Sequence, residues 1–460
     1  MKKRILSLLL VSVMVIGMLS GCSNKNNTNQ KSTTDNGSVS NNTDQKKSTD
    51  ETKNDTSGDV INISFYSTQV GMDDKFEEII ARFEEENPNI KVEYIAAGDN
   101  QLQKWMSLYA SNEGPTVSLM DPINIWENMD RMLVLDPSEN PWMDQVFESA
   151  YASYIFDGKI YGIPISTQGY GLLYNQRVLD QAVGGKFDPD SIKTRNDLIE
   201  LFDKIEATGV AATMITGVNW SIGMHYLALT YAGYRENREI EKTVVEQSKA
   251  GTFDLANDEV FNSLMDTFDL LAKYNYNKED PLVGNIDMDA EAFATGKAGT
   301  WFMGDWSWVQ LREVANRDAE FGILPIPINN DPNDERNRKI PASQPKGYCI
   351  DISQNTVEQQ EAGKKFIEFI CFNPFAQQIM VDTLGATLPY KNVTVRSDSP
   401  LAAATQSYTE QGRTIDISNF ILMPSDFWYE NGAYMEQYLA GAINRETLAA
   451  QVNNYWKNQK

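Results

Sequence analysis

The sequence is short of the residues on which most protein chemistry depends. It has one histidine, His225, and three cysteines, Cys22, Cys349 and Cys371, in 460 residues. No CxxC or comparable spacing links the cysteines, so no metal-ligand framework is indicated. Cys349 and Cys371 could pair or stay buried and reduced. Neither an HExxH pattern nor a nucleophile elbow occurs, so these signs of catalysis are missing. A lone histidine in the apolar stretch 214–234 reads as a hydrogen-bonded core residue rather than a catalyst. Asp287, Asp289 and Glu291 lack the glycine and spacing of a calcium loop. Gly296-Lys297 lacks both the upstream glycine and the following Ser/Thr of a phosphate loop. Neither a metal nor a cofactor is therefore expected. Positive charge is also scarce, with 40 Lys and Arg against 64 Asp and Glu and a formal charge of −24. So acidic a surface repels phosphate backbones, which argues against nucleic acid as a partner and otherwise serves solubility.

The amino terminus carries two distinct segments. Met1-Lys2-Lys3-Arg4 is followed by the apolar run Ile5 to Leu19, too short to span a bilayer comfortably. It ends in Leu19-Ser20-Gly21-Cys22, which resembles a bacterial lipobox, where a peptidase cuts before a lipid-bearing cysteine. Residues 1–21 are thus expected to be a lipoprotein signal peptide. The mature chain would begin at Cys22, lipid-anchored on the extracytoplasmic face of the cell membrane without spanning it. Residues 22–58 are almost wholly polar, Val39 being the single aliphatic residue there. No core can form from such a composition, so this segment reads as a disordered tether.

The remaining chain is long enough for two lobes. Ile61, Ile63 and Phe65 alternate with polar residues as in a strand, and Phe76, Ile79, Ile80 and Phe83 fall on one helix face. Asn87-Pro88 stops that helix, and Lys91 to Ile95 is a second strand. Strand, helix, strand implies a mainly parallel sheet covered by helices, with ligands beyond the carboxyl ends of its strands. Ser67, Thr68 and Gln69 become candidates on that ground. A further strand, 115–121, ends in Asp121, which could cap the next helix from Pro122 or contact a ligand. The stretch DGKIYGIPISTQGYGLLYN, residues 157–175, opens on a tight turn and leaves its backbone bare at Gly162, Gly169 and Gly171. It reads as the first crossing between two lobes, along the floor of a cleft. Residues 348–352 are expected to be a third crossing strand. Trp301, Trp306 and Trp308 crowd the segment 292–311, and Trp428 precedes a terminal helical region.

In order, the segments LSGC, FYST, DGKIYGIP, GLLYN, FATGKAGTWFMGDW, FGILPIP and TLGATLP resemble the family 1 extracellular solute-binding proteins, lipoprotein receptors of carbohydrate ABC importers. The resemblance covers essentially all of the chain from about residue 60. It implies an α/β fold of the type II periplasmic-binding-protein kind, two lobes joined by crossing strands with a ligand cleft between. On this reading residues 59–170 plus 300–345 form lobe 1, and 171–299 plus 346–460 form lobe 2. The resemblance also implies a sugar-contacting loop at Ser67, Thr68 and Gln69 and a hydroxyl-binding carboxylate at Asp121. It implies ligand contacts at Gln168, where some members carry a carboxylate, and at Asp305. Aromatic contacts are implied at Trp220, Trp306 and Trp428. The implied partners are a carbohydrate ligand, the membrane subunits of an ABC permease and a membrane reached through the lipid on Cys22, with the chain a monomer.

These residue types suit a sugar. Aromatic rings cover its apolar C–H faces, and Asp, Gln and Thr pair with its rim of hydroxyls. A site built to bond a hydroxyl rejects an analogue lacking it, because buried partners are then left unpaired. Three other readings remain open at this point. One is a secreted glycoside hydrolase using two carboxylates. The others are the same architecture binding a non-sugar such as a peptide or polyamine, and a surface adhesion protein with no closable cleft.

Overall fold

The computed structural model describes residues 60–459 except Val70, Asp99 and Asn392. The leader, Cys22 and the tether lie outside the described residues. From the first described segment the chain runs through β1 (Ile61–Ser67), α1 (Asp73–Glu86), β2 (Ile90–Ala96), α2 (Gln101–Ala110), β3 (Val117–Met120) and α3 (Pro122–Glu127). The expected apolar stripe Phe76, Ile79, Ile80 and Phe83 is the buried face of α1. Burying each of these side chains contributes on the order of 2 kcal/mol. Phe76 meets Phe65 of β1 edge-on with ring centroids 5.0 Å apart. β1 and β2 pair in parallel with Ile63 opposite Val92, and β3 lies parallel on the other side of β1. The opening is therefore the expected βαβ unit.

Asp157 and Gly158, with left-handed φ of 49° and 74°, make the tight turn between β4 (Ile155–Phe156) and β5 (Lys159–Ile160). The successive left-handed residues match the twist of a two-residue hairpin. Then come β6 (Ile163–Pro164), β7 (Gln168–Asn175), β8 (Thr300–Gly304), β9 (Phe321–Leu324), β10 (Ile340–Ser343), β11 (Gly347–Ile350) and β12 (Thr414–Asp416). They complete two five-stranded sheets. The first has the order β2-β1-β3-β11-β6. The second has the order β12-β10-β7-β8, with β9 also on β7.

Each sheet has its own core. Phe65, Phe83, Tyr348 and Phe366 lie in one, and Tyr226, Phe268, Phe302 and Trp456 in the other. β7 is the spine of the second sheet, pairing antiparallel with β8, β9 and β10. Its Gly171 is needed for that: a Cβ there would lie 2.4 Å from the carbonyl oxygen of Leu324 in β9. The bare backbone noted in the sequence thus accommodates a neighbouring strand.

The lobes connect in three places. Residues 165–167 join β6 to β7, residues 344–346 join β10 to β11, and a third connection lies between the helices Pro374–Leu384 and Pro400–Glu410. The Thr167 N–H donates to the Thr387 carbonyl at 2.8 Å, tying the first connection to the third. The Tyr390 hydroxyl donates to the Pro164 carbonyl at 2.8 Å.

This arrangement corrects the expected lobe boundaries. β8, β9 and β10, placed in lobe 1 from sequence, all belong to the second sheet, and β11, placed in lobe 2, belongs to the first. The helix Val357–Phe372 likewise packs in the first core through Phe366 and Ile367. β11 is not itself a crossing strand; the crossing is the short link before it. The physical reason is that an apolar strand pairs equally well in either sheet, and sheet membership is set by non-local partners. Cys349 and Cys371 are both free and buried.

Candidate functional site

The two sheets present their functional ends to each other. In the first lobe the carboxyl ends of β1 and β3 bring Thr68 and Asp121 beside Lys346, the residue before β11. Lys346 Nζ lies 2.6 Å from Asp121 Oδ1 and 3.0 Å from Thr68 Oγ1. Asp121 does head α3, yet its side chain makes no capping bond and takes the lysine instead. In the second lobe Gln168, at the start of β7, pairs with Ser343 at the end of β10. Gly304, the last residue of β8, pairs with Tyr170, so that Trp306 turns in beside that tyrosine.

Between these ends lies a cavity of about 430 Å³, within the usual range for small-molecule sites. Asp121, Asn124 and Ser153 line it from the first lobe, Ser343 from the end of β10, and Gln344 and Pro345 from the hinge. The second lobe supplies Gln168, Tyr170, Trp220, His225, Trp306 and Trp428. A further wall comes from the segment 417–425, including Ser418, Phe420, Ile421 and Ser425. That segment also reaches the first lobe, where Ile421 packs against the core cluster of Trp105, Ile125 and Tyr154.

The aromatic wall has a definite geometry. The Trp306 and His225 rings are 4.8 Å apart and inclined at 35°. Trp220 stands edge-on to His225 at 5.6 Å and 84°, and Tyr170 closes the group at 5.0 Å from His225. Trp220 and His225 share a π-helical turn, Trp220–Tyr226. Such turns displace side chains from ordinary helical register and recur at functional sites. His225 was expected in the core with a hydrogen-bond partner. It instead lines the cavity, and its Nδ1 is buried with no partner among the described residues. Burial pushes its imidazole down to about 4, so the ring is neutral at pH 7.

Five of the expected contact residues therefore meet at the cavity: Asp121, Gln168, Trp220, Trp306 and Trp428. Ser67, Thr68, Gln69 and Asp305 are outside its lining. The loop after β1 folds back on its own backbone. Ser67 Oγ accepts the Gln69 N–H at 3.1 Å, and the Thr68 hydroxyl donates to the Leu119 carbonyl at 2.9 Å. Asp305 is only 1% exposed beneath Trp306. Its Oδ2 accepts from the Gly169 N–H at 3.0 Å and the Thr405 hydroxyl at 2.7 Å. Asp305 thus pins the start of β7 to the helix Pro400–Glu410, and burial pushes its carboxyl up to about 7. Sequence reasoning missed Lys346, Tyr170 and the 417–425 segment. The Gln-Pro-Lys link before β11 was the available signal for the first.

The lining has flat rings, amides, hydroxyls and a single carboxylate, Asp121, already paired with Lys346. It contains neither Arg nor Lys among the described residues. Such a set can enclose an uncharged ligand with apolar faces and hydrogen-bonding edges.

Comparison with known proteins agrees with this architecture. An uncharacterised ABC transporter extracellular-binding protein of Pyrococcus horikoshii is 23% identical over 345 residues, covering 71% of this chain and 70% of that protein. A family 1 extracellular solute-binding protein from Bifidobacterium longum subsp. infantis superimposes with a TM-score of 0.68 at 21% identity, covering 87% of this chain and 100% of the other. The solute-binding protein RafE in complex with raffinose gives a TM-score of 0.68 at 20% identity, covering 86% and 99%. The fold is therefore the two-lobed type II periplasmic-binding-protein fold. Residues 78–411 match the family model described as bacterial extracellular solute-binding protein, and the chain belongs to that family.

Proposed function

We propose that this chain captures a sugar or oligosaccharide outside the cell and delivers it to the membrane subunits of an ABC importer, without chemical conversion. The observation that carries this reading is the interlobe cavity, where Trp220, Trp306 and Trp428 converge with Gln168 and Asp121. Rings cover sugar faces while amide and carboxylate groups pair with hydroxyls. The ABC-transporter name of the Pyrococcus relative and the raffinose in the RafE complex support transport and sugar in turn. One carboxylate in the lining, already held by a lysine, is a poor basis for glycoside hydrolysis, which uses two flanking the scissile bond. Contacts made from both walls exist only when the lobes close, so the ligand shifts the population toward closure. On this reading Cys22 bears the lipid, the tether holds a monomeric body off the membrane, and a permease distinguishes loaded from empty receptor by shape.

The test is a thermal-shift screen against neutral oligosaccharides, peptides and polyamines. A ligand at a hundredfold excess over its Kd stabilises the fold by about 2.7 kcal/mol, a readily measured shift. The expected result is a shift with a sugar, and binding at least about tenfold weaker in Trp306→Ala, given the usual worth of a buried aromatic contact. Shifts with peptides or polyamines alone would overturn the sugar reading.

A further inference from the structure

We propose that the cleft selects an uncharged sugar and reads it through His225, whose Nε2–H donates to a ligand oxygen while Nδ1 stays dry. The inference rests on the sugar reading above and deepens it. His225 is the only histidine of the chain, and it lines the cavity from the turn that also carries Trp220. Its ring is clamped by Tyr170, Trp220 and Trp306 at centroid distances of 5.0, 5.6 and 4.8 Å. Nδ1 is buried with no hydrogen-bond partner among the described residues, whereas Nε2 is not among the buried unpartnered atoms. The edge left open to the cavity is therefore that of Nε2.

This environment fixes the tautomer. An N–H buried without an acceptor loses its hydration for nothing, and orphaned donors are rarer in proteins than under-satisfied acceptors. A proton on Nδ1 would be such an orphan; a bare Nδ1 lone pair is the lesser penalty. The single proton of the neutral ring thus belongs on Nε2, pointing at the ligand space. Imidazolium would restore the orphan at Nδ1, which is the structural reason the ring resists protonation. His225 consequently offers a hydrogen bond and no charge.

The rest of the lining has the same preference. Its one charged member is Asp121, neutralised by Lys346, and no Arg or Lys lines the cavity among the described residues. A sugar carboxylate would be stripped of water with no unpaired Arg or Lys among the described lining residues to meet it, an arrangement that is strongly unfavourable. A neutral hydroxyl, ring or glycosidic oxygen needs only a donor, and His225 supplies one.

The test uses the mature protein with no histidine tag, and calorimetry against a panel of neutral oligosaccharides and their uronate-containing counterparts. Wild type is expected to bind a neutral sugar at least about tenfold more tightly than its uronate counterpart. His225→Phe keeps the ring stack and removes the donor, and is expected to weaken neutral-sugar binding about tenfold or more, the scale of one lost hydrogen bond in a dry site. His225→Gln places an amide N–H near the Nε2 position and is expected to recover part of that loss. Because the chain has one histidine, long-range ¹H–¹⁵N spectra of the wild type read its tautomer directly, whatever the variants do. The Nε2–H neutral form at pH 7, with its signal moving on sugar addition, is the expected spectrum. An Nδ1–H tautomer or an imidazolium at pH 7, equal binding by His225→Phe, or equal affinity for the uronates would each overturn this proposal and leave the sugar reading standing. Wild type that binds no sugar of either kind would remove both.

Discussion

Asp305 offers a sharp test of how the cleft is supported. Its carboxylate is buried under Trp306, with Oδ2 bonded to Gly169 and Thr405 and Oδ1 without a partner among the described residues. Burial is the largest influence on it and raises the carboxyl from 3.8 to about 7; the bonds from Gly169 and Thr405 act in the opposite direction. At pH values between these two the folded chain binds a proton there that the unfolded chain does not. The resulting stabilisation is complete below 3.8 and is lost as pH rises through 7. Between pH 5 and pH 8 the loss is about 3 kcal/mol, from two pH units at roughly 1.4 kcal/mol each. Asp305→Asn cannot titrate, so the difference in stability between wild type and variant carries this term while most other carboxylates cancel. Urea unfolding of both proteins, followed by tryptophan fluorescence at pH 5, 6, 7 and 8, measures it. Wild type is expected to lose about 3 kcal/mol relative to the variant across that series, with no further change above pH 8. A difference that stays constant with pH would show an ordinary carboxyl and refute the argument.

Three other outcomes follow from geometry already described. Gly171→Ala forces a methyl group to within 2.4 Å of the Leu324 carbonyl oxygen, and should cost about 1–3 kcal/mol in thermal unfolding; an unchanged melting temperature would contradict the close strand approach. Burial pushes the thiols of Cys349 and Cys371 up to about 12. Maleimide at pH 7 should therefore label neither in folded protein whose Cys22 has been replaced, and both after guanidinium; rapid native labelling would refute it. Ile421→Asp places a charge in the contact between the 417–425 segment and the first lobe. The unliganded protein should then scatter with a larger radius of gyration, and an identical profile would show that this contact does not hold the lobes together.

Local features were legible in the sequence, and pairing was not. The α1 stripe, the Asp157-Gly158 turn and the βαβ opening follow from spacing and turn chemistry, which act over a few residues. The site was readable where a side chain sits at a strand end and has no local use for its polar groups, as with Gln168, or offers a large ring, as with Trp306 and Trp428. Ser67, Thr68 and Asp305 are the same kinds of residue at the same kinds of place, yet backbone and hydroxyl partners consume their polar groups. Thr405 lies 100 residues from the carboxylate it bonds, a relation no local pattern reveals. The lobe assignment of 300–345 failed for the same reason. His225 was misread because an apolar neighbourhood in sequence looks alike whether it is a core or an aromatic cleft wall.

The stitched hinge has a consequence for how this receptor discriminates. A body held by one strand could swivel as well as tilt. Here three strands of chain link the halves, and the Thr167–Thr387 bond sews two of them together. Torsion would have to break that seam, whereas a simple swing need not. In the proposed closure this seam favours swing over twist, which would bring Asp121 to one station opposite Trp306. A solute that needs a sideways slip of the jaws would then be disfavoured by the joint as well as by the contacts in the mouth.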